Sequence, residues 1–515
     1  MDKIVVVGGG LAGPEAAWQL AERGHHVALF EMRPHTTTLA HTSDRLGELV
    51  CSNSFKSEEL TNAHGLLKAE MRELGSLLLQ IAAEARVPAG AALAVDRQAF
   101  ASQVTARITA HPNIEVRQDE VRELPDPPAI IATGPLTSDS LFASIRKRLG
   151  TEGLYFFDAI SPIVAADSID ESRSYRASRY DKGGDDAYIN CPLNREQYSA
   201  LCSALLTGQI YETHDWDNVP FFEGCLPIEV LAARGPDTMR FGPLKPVGLK
   251  DPRSGKVPHS VVQLRREDRA GQMWNLVGFQ TRLRYPDQRR ALQMIPALED
   301  AEILRYGQIH RNSYLSFPAL LSPHGSPPDT PALIFAGQLT GVEGYMESAA
   351  TGLLAGFNID RLMRGLEPVL PPSTTMLGGL YRYLREAKAN AFQPMNANFG
   401  LLDQLGEPIR RKGERRQALV ERALRDLRRW HKETVRAPVA SEGGGGRQRA
   451  GYADPPLCSS EVKGRGFGKR SGRVPATHKG RAPALRAHAS GVLIRPLRAP
   501  RVSNRLLRVR GVVLG

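Results

Sequence analysis

At 515 residues the chain has room for several domains of roughly 150 residues and a large buried core, which excludes a small disulfide-stapled module. Its five cysteines, at positions 51, 191, 202, 225 and 458, are widely spaced and form no C-x-x-C pair, so no disulfide framework, zinc site or thioredoxin-type redox pair is expected. The net charge of +12 is local: residues 441–515 hold 16 Lys/Arg against 3 Asp/Glu, leaving 51 basic and 52 acidic residues elsewhere.

No apolar run reaches the roughly 18 residues of a membrane span, and Met1 to Gly13 lacks a signal-peptide layout. A soluble, cytoplasmic protein with reduced thiols, no membrane association, no bound metal and no obligate protein partner is expected.

Lys3 to Val7 is a β-branched run suited to a buried parallel strand. Gly8, Gly9, Gly10, Leu11, Ala12 and Gly13 follow at once, then a helix through Glu15, Ala17 and Leu20 that ends near Gly24. His26 to Glu31 is a second apolar strand closing on an acid. This is the strand, glycine turn, helix and strand of a dinucleotide fold, with a mechanical reason at each position. Gly8 permits the turn, Gly10 lets backbone approach a pyrophosphate, Gly13 lets the helix lie close to the sheet, and Glu31 can accept ribose hydroxyls. The phosphates would rest on the helix N-terminus.

NAD and FAD both fit this unit. Two later segments favour FAD: Ala129 to Gly134, a strand passing beneath the cofactor, and Ala332 to Ala336, a strand followed by Gly337, Gln338 and a small-residue helix from Glu347 to Gly356. The fold expected is α/β, a Rossmann-like FAD-binding domain interrupted by an inserted α+β domain. Approximate bounds are 1–150 for the first part of the FAD-binding domain, 151–330 for the insertion, and 331–436 for its return. Arg411 to Val435 places apolar residues at 419, 420, 423, 424, 427 and 430, the stripe of a closing amphipathic helix. Residues 437–515 form a basic tail rich in Arg, Gly, Pro and Ala, read as disordered; it is either an RNA-binding arm or an unselected extension.

Two cysteines have unusual company. Cys51 stands in a polar stretch with Asn53 and Lys56, and Cys225 is bracketed by Gly224 and Pro227. A nucleophilic thiol needs a cation or base beside it, and Lys56 and nearby arginines are candidates. Cys191 and Cys202 are read as small buried hydrophobes.

The blocks from Gly8 to Ala17, Cys51 to Lys56, Phe222 to Glu229, Gly242 to Gly248, Gly278 to Thr281, His310 to Asn312 and Ala336 to Tyr345 resemble those of the TrmFO family, formerly Gid. These are folate- and FAD-dependent tRNA uracil-5-methyltransferases of bacteria, and the resemblance covers residues 1 to 436. It implies FAD, NADH or NADPH as reductant, 5,10-methylenetetrahydrofolate as one-carbon donor, and tRNA as substrate, methylated at the T-loop uridine. Within it, Cys225 matches the thiolate that adds to uracil C6, and Cys51 the second thiol, in roles the sequence leaves exchangeable. The resemblance also implies that the one-carbon unit is delivered through flavin N5. Arg282, Arg284, Arg289, Arg290, the segment Arg305 to Arg311 and the closing helix are candidate tRNA contacts. Two other readings stand beside this one: a GidA-like flavoprotein acting on the wobble uridine, and a non-catalytic tRNA-binding flavoprotein.

Overall fold

The computed structural model describes residues 3–38, 40–182, 187–211 and 226–435; the basic tail lies outside them. Five parallel strands form the first sheet, in the order Leu333–Phe335, Ala129–Ile131, Ile4–Val7, Val27–Phe30 and Ile114–Arg117. Ile4–Val7 holds the centre because a continuous β-branched run can be buried on both faces, and Val6 is wholly buried. Helix Ala12–Ala21 makes the first crossover and buries Ala16, Ala17 and Leu20 completely. The acid predicted to close the second strand falls just beyond its end, after Phe30.

The chain leaves this sheet after Ala129–Ile131 and returns beside the same strand, with Leu333 in register with Ala129. Between the two comes a six-stranded antiparallel sheet in the order Tyr175–Arg176, Tyr188–Leu193, Ser260–Arg266, Met273–Leu276, Ile163–Ala165 and Ile303–Arg305. It has its own apolar core, in which Val262, Leu264 and Trp274 meet Leu201 and Leu205 of helix Arg195–Thr207 and Leu292 of helix Tyr285–Gln293. A two-stranded ladder, Leu154–Ala159 against Ile309–Tyr314, carries the chain out and back. The missing β-α alternation in this region therefore reflects antiparallel pairing, which needs no crossover helices.

The return strand leads into helix Tyr345–Met363, which packs along helix Ala12–Ala21. Gly352 makes that approach possible: a Cβ there would lie 2.1 Å from the Ala12 carbonyl oxygen. The closing helix, Lys412–Trp430, buries Leu419, Val420, Ala423, Leu427 and Trp430 of the expected stripe, with Leu424 partly buried, and packs against helix Ala63–Glu73.

Helix propensity alone makes Gly→Ala stabilising by about 1 kcal/mol in a helix interior. At position 352 the new methyl meets fixed backbone, and overpacking of this kind costs about 1–3 kcal/mol. Gly352→Ala is thus expected to lower the urea midpoint of unfolding; an unchanged or raised midpoint would contradict the close helix crossing.

Candidate functional site

The glycine turn between Val7 and Ala12 is closed by backbone contacts that no side chain could share. A Cβ on Gly8, whose φ is +112°, would come 2.5 Å from the Ala132 carbonyl oxygen, and one on Gly13 would come 1.8 Å from that of Gly8. Gly13 therefore serves the turn itself before it serves helix-to-sheet packing. Gly10 differs: a Cβ there would meet no atom within 4 Å, and the same holds for Gly134. Both border one open cleft. Gly8, Gly9, Leu11, Ala12, Glu31, Gly337 and Gln338 border it too, so of the ten cofactor residues expected from sequence only Gly13 is set back from the wall.

Leu11, the N-cap of helix Ala12–Ala21, provides no side-chain cap, which leaves the helix N-terminus facing this cleft to an incoming anion. At the other end of the turn, Glu31 Oε2 accepts the Gly9 N–H at 2.8 Å, while Oε1 accepts the Arg33 Nε–H at 2.8 Å. Burial pushes the Glu31 carboxyl up, but the Arg33 hydrogen bond and charge, with the Gly9 N–H, bring it net below its ordinary value. The donor set, an uncapped helix end and an ionised carboxylate across an open glycine backbone, fits the phosphates and ribose of a dinucleotide such as FAD. Arg33, 1% exposed and also bonded to Glu48 at 3.0 Å, is a site residue that sequence reading missed.

The cleft adjoins a second cavity that contains Cys51. Val50, Pro135, Leu136, Gln338 and Tyr345 border both. The loop bearing the thiol is clamped through its backbone. Tyr345 Oη accepts the N–H groups of Cys51 and Ser52 at 2.8 and 3.0 Å. Arg97 donates to the carbonyls of Leu49 and Cys51 at 2.6 and 3.2 Å, and Arg305 to that of Val50 at 2.7 Å. Arg265 reaches from the six-stranded sheet to Asn53 Oδ1 at 2.8 Å and Ser52 Oγ at 3.0 Å. Burial and then the neighbouring Arg97 charge hold Arg305 below its usual range. Arg97 is itself raised: burial opposes it, but the charge of Glu267 and a hydrogen bond to it prevail. Both guanidiniums lie close enough to Cys51 for its charge to act on them.

Arg305 was expected to meet tRNA, and the structure turns it inward to the Val50 carbonyl. Arg282 likewise lies 3.6 Å from buried Glu229. A guanidinium satisfies buried oxygens as readily as phosphates, which residue type alone does not separate. Lys56 does border the Cys51 cavity, and its φ of +62° is strained for a non-glycine residue. Cys191 is wholly buried, and burial pushes its thiol up to about 12, in keeping with a packing role. Cys202 is only partly buried, and burial raises its thiol too. Cys225, the other predicted catalytic thiol, lies outside the described residues.

Glu347, in the first turn of helix Tyr345–Met363, lines the Cys51 cavity together with Glu343. Its Oε1 accepts from Ala397 N–H at 2.9 Å and lies 3.2 Å from His64 Nδ1. Burial raises this carboxyl, yet the His64 hydrogen bond, the charges of Lys56 and His64, and the Ala397 N–H together bring it to about 2. Among the described residues no cluster of side chains is suited to a metal ion, and no helix is long and apolar enough to cross a membrane.

A family model described as "GIDA: Glucose inhibited division protein A" matches residues 3–367. A Moorella thermoacetica protein named methylenetetrahydrofolate–tRNA-(uracil-5-)-methyltransferase TrmFO is 53% identical over 424 residues, covering 82% of this chain and 97% of its own. A Thermus thermophilus protein of the same name is 53% identical over 430 residues, 84% of this chain and 96% of its own. Among solved structures, Aquifex aeolicus GidA superposes with a TM-score of 0.59 at 16% identity, covering 83% of this chain and 73% of that one, a likeness of fold.

Glu347 makes a pH prediction with a definite sign. Its folded value near 2 is below the ordinary glutamate value, so its contribution is present above about pH 4.5 and lost as pH falls toward 2. The full effect is about 3 kcal/mol. Urea unfolding followed from pH 5 to pH 3 should show stability falling with acid in the wild type and a flatter profile in Glu347→Gln; equal slopes would contradict the assignment.

Proposed function

The chain belongs to the TrmFO family, within the broader GidA type, and we propose that it catalyses the reaction its relatives are named for, methylation of uracil C5 in tRNA from methylenetetrahydrofolate. The observation that carries this reading is the continuity of the two cavities: the walls that close the dinucleotide cleft at Val50, Leu136, Gln338 and Tyr345 also enclose Cys51. A thiol thus lies in the cavity next to the one whose residues would hold the dinucleotide.

Uracil C5 is a poor nucleophile. A thiolate that adds to C6 forms an S–C6 bond and moves the electron pair onto C5, which can then attack a one-carbon electrophile. Loss of the C5 proton with release of the carbon unit from its carrier leaves an exocyclic methylene on the ring that still holds the thiol, and a hydride added to that methylene completes the methyl group as the thiolate is expelled from C6. FAD, when bound and reduced, supplies the carrier atom for the carbon unit and the hydride. Cys225 is the proposed C6 nucleophile and Cys51 the proposed second thiol, accepting the C5 proton or guarding the carbon unit; the two roles are exchangeable. In this reading Gly8 to Gly13, Glu31, Gly134, Gly337 and Gln338 hold the dinucleotide. The backbone clamp on Leu49 to Asn53 fixes the position of Cys51.

NADH or NADPH is the proposed source of reducing equivalents, the cytoplasm the proposed compartment, and the T-loop uridine the proposed target. No obligate protein partner is invoked. Residues 151–330 are taken as the substrate domain. Extruding a stacked uridine costs a few kcal/mol, which phosphate contacts on the protein surface must offset.

Unmodified tRNA supplied with labelled methylenetetrahydrofolate should acquire label at uridine C5, and labelled S-adenosylmethionine should give none; the reverse would sink the proposal. A longer adduct at the wobble position would support the GidA-like reading instead. Cys225→Ala and Cys51→Ala should each lower transfer on the order of 10³-fold while FAD and tRNA remain bound. Undiminished transfer by both would indicate other catalytic groups.

A further inference from the structure

The two-stranded neck that joins the nucleotide fold to the inserted sheet carries a buried carboxamide without a use. Asn312 lies on strand Ile309–Tyr314, opposite Phe156 in the ladder, and its solvent exposure is 0%. Neither its Nδ2 nor its Oδ1 has a hydrogen-bond partner among the described residues. Yet Asn312 borders the Cys51 cavity, on a wall it shares with Arg265 and Gln280.

Native folds rarely leave a fully buried amide unsatisfied at both ends, because its desolvation is then uncompensated. A leucine, branched at the same carbon, would carry no such cost. An orphan donor and acceptor side by side at a ligand cavity have a definite complement. The Nδ2–H group matches a carbonyl oxygen and Oδ1 matches an adjacent ring N–H, so one carboxamide pairs with one lactam edge, –NH–C(=O)–.

We propose that Asn312 recognises the lactam edge of the pyrimidinone ring that enters the Cys51 cavity. This rests on the proposed methyltransferase reading and adds to it a specificity-determining residue. Two ligands of that reaction carry the edge: the target uracil, through N3–H and O4, and the pterin ring of the folate. Asn312 lines the thiol chamber and is absent from the wall of the dinucleotide cleft, which assigns it to whatever ring the thiol meets. Arg265, held by Asn53 and Ser52, fixes one side of that chamber.

The test uses FAD-loaded full-length protein as wild type, Asn312→Leu and Asn312→Asp. Removing an unsatisfied polar pair while keeping the γ-branched shape, with the larger methyls facing the cavity that Asn312 borders, leaves the Tm of Asn312→Leu equal or raised. Asn312→Asp keeps the shape and replaces the donor by a charge, so both variants should lose the same ligand. One arm measures binding of tRNA carrying either uridine or 3-methyluridine at the target position; the other titrates tetrahydrofolate. If the uracil is read, the wild type favours uridine about 10-fold to 100-fold, the worth of a good bidentate contact, and the variants erase that preference. If the pterin is read, the tetrahydrofolate Kd rises by a similar factor in the variants and the uridine preference stays.

Either result supports the proposal and names the source. Values within twofold of wild type in both arms overturn it. So does a lowered Tm in Asn312→Leu, which would mark a structural amide. Loss of FAD from the purified variants also overturns it, since the amide would then serve the cofactor. Failure of the underlying reading shows separately, as wild-type protein that moves no label from methylenetetrahydrofolate to tRNA.

Discussion

The structure turns on the backbone of Leu49 to Asn53, a partly buried loop whose polar groups are satisfied by side chains from distant parts of the chain. Its carbonyls at 49, 50 and 51 take donors from Arg97 and Arg305, its N–H groups at 51 and 52 share the Tyr345 hydroxyl, and Arg265 holds Ser52 and Asn53. Arginine suits this task because one planar group offers five donors and remains charged. The cost is the burial of several cations, which Glu267 partly offsets through Arg97. Removing one partner would strand another in low dielectric, so the network holds a single arrangement of loop, neck and inserted sheet.

That constraint explains what the sequence made legible and what it did not. The nucleotide fold could be read because its rules are local. Gly8 and Gly13 answer to atoms within the turn or on the neighbouring strand, and Glu31 closes onto Gly9 across one crossover. The same is true of the closing helix, whose stripe is a matter of spacing. The clamp could not be read, because Cys51 and Tyr345 are separated by 294 positions and Ser52 and Arg265 by 213. Nothing in a tyrosine beside Gly344, or in an arginine on an apolar strand, declares which backbone it will meet. Gly352 and Asn312 share this property: each is explained by a neighbour that only the fold supplies. Arg305 misled for the same reason, since its role is set by whether the surface beside it faces solvent or a carbonyl.

The charges around the Cys51 cavity also bear on what it can admit. Glu347 is engaged by His64 and the Ala397 N–H, Arg265 by Asn53 and Ser52, and Glu343 accepts from Gln338 at 2.6 Å. A phosphate entering here would meet Glu347 and Glu343 as well as the cations, and it would have to displace hydrogen bonds already made. A flat, neutral ring bearing its own donor and acceptor faces neither obstacle, and it can offer Asn312 the partners the protein withholds. In the proposed reading such a ring is the uracil or the pterin, and a target base would enter with its ribose-phosphate chain left at the surface. Charges of both signs, Lys56 and Arg265 beside Glu343 and Glu347, line this chamber, and discrimination between neutral rings there falls to hydrogen bonding.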